Sequence, residues 1–93
     1  MANLRRLKKD IDYVLEELVF DCDMAIYFQP NKEAEIFALM QEGVELRNQL
    51  YAKANNPTEP KNSSLVRKYY AAFRGEMIDA YGKLFEKLSA LHD

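Results

Sequence analysis

Residues 65–91 read LVRKYYAAFRGEMIDAYGKLFEKLSAL, and within them Val66, Tyr70, Phe73, Met77, Ala80, Leu84, Leu88 and Leu91 recur at steps of three and four. That spacing lays eight apolar side chains along one side of an α-helix and fits no strand, whose alternation has a period of two. A stripe so regular needs other apolar surfaces to cover it. Gly75 and Gly82 stand one heptad apart inside the same stretch.

Upstream lies the one extended loop of the chain, Asn55 to Ser64, which holds Pro57 and Pro60 and offers Asn62, Ser63 or Ser64 as the cap of the helix that follows. Before it, Ile36, Phe37, Leu39, Met40, Val44, Leu46, Leu50 and Tyr51 make a second helical pattern over about 31–54. Gln29-Pro30-Asn31 separates this from a first helix, because Pro30 has no N–H to donate and disfavours helical geometry at Gln29. The first helix, about 3–28 with Asn3 as its cap, carries Leu4, Leu7, Ile11, Leu15, Leu18, Cys22 and Ile26 on one face. An eleven-residue repeat within that face (Leu4, Leu15, Ile26) suits a nearly straight helix.

Three helices, near 3–28, 31–54 and 63–91, joined by one short and one medium connection, predict an all-α fold. The simplest packing is an antiparallel three-helix bundle, up-down-up, formed by residues 1–93 as one domain. Leu18, Met40 and Phe73 are expected in its core. With 93 residues, 48% of them apolar and 30% charged, the composition is that of an ordinary globular domain with a modest core.

Little in the sequence points to catalysis. His92 is the only histidine and lies beside the C-terminus, and Cys22 is the only cysteine and lies on the apolar face of the first helix. A thiol so placed behaves as a small hydrophobe with a raised pKa. The carboxylates Asp10, Asp12, Glu16, Glu17, Asp21 and Asp23 are dense but lack the histidine partners of a bundle metal site, and read as a solvated acidic face. No glycine loop follows a strand to cradle phosphate. The expectation is therefore no enzyme, no metal, no cofactor and no small-molecule ligand. No apolar run long enough for a leader or a membrane span is present, because Asp21 and Asp23 break the richest stretch, Val19 to Phe28. With a single unpaired cysteine, the expected location is the cytoplasm.

Two features exceed what a bundle needs. Each helical glycine costs about 1 kcal/mol relative to alanine, yet Gly75, Gly82 and Ser89 fall one heptad apart, with Ala71 and Ile78 on the same face. Such a small-residue seam admits a helix closely, whether from the same bundle, from a second copy or from a foreign partner. In addition, eight of the ten residues from Val19 to Phe28 are apolar, more than one stripe uses. Phe20, Met24, Tyr27 and Phe28 are expected to form an exposed patch near the first hairpin.

Charge is also unevenly spread. In an up-down-up bundle the start of helix one, the end of helix two and the start of helix three share one end. Arg5, Arg6, Lys8, Lys9, Lys53, Lys61, Arg67 and Lys68 lie there against Asp10, Asp12 and Glu59, whereas the remainder carries five basic and twelve acidic residues. Cations at a helix N-terminus oppose its dipole by about 0.3–1 kcal/mol each, so helix stability does not explain Arg5, Arg6, Lys8 and Lys9.

The run Leu4-Arg5-Arg6-Leu7-Lys8-Lys9-Asp10-Ile11-Asp12-Tyr13, with Ser64-Leu65-Val66-Arg67-Lys68-Tyr69, resembles small helical proteins of uncharacterised function from Bacteroidetes-type bacteria. The resemblance implies a bacterial helical protein and brings no activity, cofactor or site. From the residues themselves, the favoured function is a non-enzymatic interaction module that pairs with itself as a homodimer or with another protein. Its preferred contact is helix three around Gly75, Ile78 and Gly82, followed by Phe20, Met24, Tyr27 and Phe28. The alternative is a binder of nucleic acid or another anion through Arg5, Arg6, Lys8, Lys9, Arg67 and Lys68. An enzyme of unrecognised type stands third.

Overall fold

The computed structural model describes residues 4–55 and 63–91, so the expected Asn3 cap, most of the second connection with Glu59, Lys61 and Asn62, and His92 lie outside the described residues. Three helices, α1 (Leu4–Phe28), α2 (Glu33–Ala54) and α3 (Ser63–Ala90), pack as an antiparallel three-helix bundle, about 51 × 18 × 17 Å, with no strand among the described residues.

Pro30 ends α1 as the sequence requires. Gln29 leaves helical geometry at φ −136° and ψ 68°, its N–H donates to the Ala25 carbonyl at 2.8 Å, and its own carbonyl accepts from the Lys32 N–H at 3.0 Å. The chain then makes one 3₁₀ turn, Pro30–Lys32, before α2 begins. The turn consumes two residues expected in the second helix. Hydrogen bonds fix the up-down-up order at both ends of the rod. Lys32 Nζ donates to the Leu91 carbonyl at 2.7 Å, tying the first hairpin to the end of α3, and the Tyr69 hydroxyl donates to the Lys53 carbonyl at 2.7 Å, tying the end of α2 to the start of α3.

The core stripe of α1 runs through Leu7, Ile11, Leu18, Cys22 and Ala25, and that of α3 through Tyr70, Phe73, Met77, Tyr81, Leu84 and Leu88. Leu18 and Phe73 are buried as expected, but Met40 is only half-buried. The line of α2 that meets the core passes through Ile36, Leu39, Gly43, Leu50 and Ala54, and this leaves Met40 on its flank and Phe37 and Val44 exposed. Tyr81, absent from the expected stripe, is fully buried, whereas its neighbour Ala80 is half-buried. The larger ring reaches the axis of the bundle. Its hydroxyl donates to the Ile11 carbonyl at 3.4 Å, and burial pushes its pKa up to about 12.

Gly43 explains how α1 and α2 come so close. A Cβ there would meet Leu18 Cδ2 at 2.8 Å and Leu15 Cδ1 at 3.2 Å, so the missing side chain is the space those leucines fill. Where α2 faces α3, the rim is polar: Lys87 pairs with Glu42 at 3.1 Å, beside Glu45, Gln49 and Lys83.

Candidate functional site

The bundle uses one side of α1, and the opposite side is also apolar. Tyr13, Phe20 and Tyr27 follow one another at seven-residue steps, with Met24 and Phe28 beside them, and their exposures are 62%, 62%, 78%, 44% and 67%. At 100° per residue this row lies about opposite the buried stripe Leu7, Ile11, Leu18, Cys22 and Ala25. A helix that is apolar on two opposite sides and covered on one leaves a patch of the kind that marks interaction surfaces. The Tyr27 and Phe28 rings meet edge to face with centroids 5.2 Å apart. Glu16 and Glu17 flank a shallow recess between Tyr13 and Phe20.

Four of these residues were legible as a patch; Tyr13 was not. Its heptad spacing to Phe20 was the available signal, obscured because charged residues separate them. Beside the patch the structure adds a groove of about 320 Å³ between α1 and α3, lined by Met24 and Phe28 on one wall and Phe85 and Ser89 on the other. The groove joins two features that were separate in the sequence, the aromatic patch of α1 and the Ser89 end of the α3 seam.

The rest of the seam is open. A Cβ added at Gly75 or Gly82 would meet nothing within 4 Å, and Ile78 between them is 63% exposed. No helix of the same bundle occupies the close approach those glycines permit, so the intramolecular reading of the seam fails at both. The intramolecular glycine is Gly43, which the seam did not include.

At the basic end, Arg5, Arg6 and Lys9 line a shallow recess with Asp10, and Arg67 and Lys68 are exposed at the start of α3. Lys8 differs from its neighbours: its ammonium stands 5.3 Å from the centroid of the Tyr51 ring, an intramolecular cation–π contact. Arg47 covers the same ring at 4.1 Å. Arg47 Nε donates to Asp12 Oδ1 at 3.0 Å and the Tyr51 hydroxyl to Asp12 Oδ2 at 2.6 Å, which raises the pKa of Tyr51 and of Arg47 alike, because each donates to a carboxylate that holds its proton. Arg74 pairs with Asp10 from α3. Two of the acids that stood against the basic end thus have partners on α2 and α3. This network, invisible to spacing along one helix, locks α1 to α2.

Cys22 is buried, and burial, with Asp21 and Asp23 on either side in sequence, pushes its thiol up to about 11. It stays protonated and unreactive at neutral pH. Among the described residues no three His, Cys, Asp or Glu side chains converge into a set that could hold a metal ion, and no helix is long and apolar enough to cross a membrane.

No protein-family model matches the chain, and no curated protein and no solved structure matches it either.

Proposed function

We propose that the chain is a helical interaction module that associates with a second copy of itself through the outer face of α1, with the open seam of α3 at its flank. The observation that carries this reading is the second apolar row of α1, opposite the core. Five large apolar side chains, three in that row and two beside it, are between 44% and 78% exposed, against one, Ile78, on the α3 seam. For that reason α1, and not helix three, is the principal contact. Gly75, Ile78 and Gly82 make a second open surface on α3 that a neighbouring backbone can approach, and the groove between Met24, Phe28, Phe85 and Ser89 links the α1 patch to the Ser89 end of that seam. A symmetric pair is the commonest way for such a face to be covered, and a specific one buries more than about 1,000 Å² in total.

Sedimentation equilibrium across a wide concentration range tests the reading. The expected result is a reversible approach to twice 10.9 kDa, and Phe20→Ser/Tyr27→Ser is expected to shift it toward monomer with helix content unchanged. A single 10.9 kDa species at high micromolar protein would sink the reading.

A second reading draws support from the basic end, where Asp10 and Asp12 pair with α2 and α3 beside the exposed Arg5, Lys9, Arg67 and Lys68. A nucleic acid or another polyanion would suit that surface. Fluorescence titration with single- and double-stranded nucleic acid at low salt is the check, and no affinity there rules it out.

A further inference from the structure

We propose that the second copy lies antiparallel along the outer face of α1, in the register that sets Lys9 of each copy over Phe20 of the other and Tyr13 of each copy against Glu16 of the other. The inference rests on the self-association reading above and adds the direction and register of the pair.

The argument begins with charge on α1 itself. Arg5 and Lys9 are exposed near its start, and Glu16, Glu17 and Asp23 are exposed further along. The two acids between these groups do not blur the division, since Arg74 binds Asp10 from α3 while Arg47 and Tyr51 bind Asp12 from α2. The outer face therefore runs from positive to negative, with the aromatic row down its middle. A parallel pair would set Arg5 and Lys9 against their own copies and Asp23 against Asp23, and like charges so placed oppose association. The antiparallel pair sets each positive segment against a negative one.

Register follows from the spacing of the row. In an antiparallel pair of helices the residues that face one another have numbers with a constant sum, and neighbouring layers alternate between the two heptad positions of the seam. Pairing Lys9 with Phe20 fixes that sum, and the same sum places Tyr13 opposite Glu16. Lys9 then gains an aromatic face, with Glu16 and Asp23 of the other copy one turn away on either side. The Tyr13 hydroxyl gains a carboxylate to donate to, and Met24 lies beside the stem of Arg5, covered by its methylenes. Sliding by one heptad toward the hairpin would keep Lys9 on an aromatic ring, that of Tyr27, and Tyr13 against a carboxylate, that of Asp23, but it would lay Glu16 on Phe20 in both copies and Met24 against Asp12.

The experiment uses the full chain and two charge-reversed variants, Arg5→Glu/Lys9→Glu and Glu16→Lys/Asp23→Lys, each checked for native helix content by circular dichroism. At low salt each variant alone is expected to dimerise at least tenfold more weakly than the native chain, because its reversed segment now faces like charge. An equimolar mixture of the two is expected to regain affinity within about threefold of native, since in that heterodimer both contacts are opposite in sign. Direction is read independently by electron–electron resonance between nitroxides on Tyr27→Cys in a Cys22→Ala background. The antiparallel register separates the labels by about 38 Å along the helix at 1.5 Å per residue, whereas a parallel pair would hold them within about 15 Å. A chain that stays monomeric defeats the self-association reading and this inference together. A dimer indifferent to charge reversal, or one with the labels close, overturns the antiparallel arrangement and leaves self-association standing.

Discussion

At Gly43 an added methyl group would meet Leu18 at 2.8 Å and Leu15 at 3.2 Å; at Gly75 and Gly82 it would meet nothing within 4 Å. These are the three glycines of the chain, all within helices, and they mark two regions with opposite roles. Around Gly43 the α1–α2 contact is closed: apolar side chains fill the gap, and Asp12, Arg47 and Tyr51 lock its far end. Around Gly82 the outer side of α3 is open, and no described residue packs into the space left by the missing side chain to offset the cost of a helical glycine. The difference separates a glycine that the packing of the bundle requires from two that it does not, and the proposed pairing gives those two a reason.

The largest effect expected from this contrast is that of Gly43→Leu. The new side chain has no room between Leu15 and Leu18, and forcing it in costs about 3 kcal/mol or more, a large part of the stability of a domain this size. Urea denaturation measures it, and a loss below about 1 kcal/mol would show that α1 and α2 separate easily. Phe73→Ala, removing a fully buried ring from α3, is expected to cost a comparable 3–5 kcal/mol.

Cys22 tests the same closed region by pH. Its folded pKa is raised from 9.0 to about 11, so above pH 9 the unfolded chain releases a proton that the folded chain keeps. The contribution is complete below pH 9 and is lost as pH climbs toward 11. Compared with Cys22→Ala, the native chain is expected to lose stability more steeply in that window. Reaction with a thiol reagent at pH 8 should be slow until denaturant is added, and a fast native reaction would mean that the core opens at Cys22.

Helix existence and order were legible because apolar steps of three and four fix which side of a helix turns inward, and Pro30 fixes where the first one ends. Interhelical geometry was less legible. Met40, Phe37 and Val44 belong to the apolar pattern of α2 but stand off its core line, since the position of that line depends on Gly43 admitting Leu18, a contact between segments 25 residues apart. Tyr81 was missed for a similar reason: whether a tyrosine reaches the axis depends on what lies across from it. On the candidate surface, Phe20, Met24, Tyr27 and Phe28 could be read from local excess apolarity. Tyr13 and Phe85 needed the packed structure, which shows what the bundle leaves uncovered.

Tyr51→Phe breaks the lock at the far end of the closed contact with little change in volume. The lost hydroxyl donates to a carboxylate that Arg47 also binds, so Asp12 keeps one partner and the expected loss is about 1 kcal/mol, at the modest end for a hydrogen bond. The comparison of urea midpoints for Tyr51→Phe and Gly43→Leu thus ranks the polar lock against the apolar seam, and a polar loss as large as the apolar one would reverse their order.

The smallest effect has the opposite sign. Gly82→Ala adds a methyl group that meets nothing in the monomer, and it removes the conformational freedom that glycine gives the unfolded chain, so the variant is expected to be more stable by about 0.5–1 kcal/mol. Gly75→Ala should behave alike. Measured on dilute protein, where any pair has dissociated, that gain reports the open seam of a single copy. Measured at high concentration, it should shrink if a second copy comes close to α3, because the methyl group then intrudes where a backbone or side chain approaches. A larger side chain, as in Gly82→Leu, should exaggerate the concentration dependence while leaving the dilute protein folded. A gain that is identical at both concentrations would place the contact wholly on the outer face of α1 and remove the α3 seam from it.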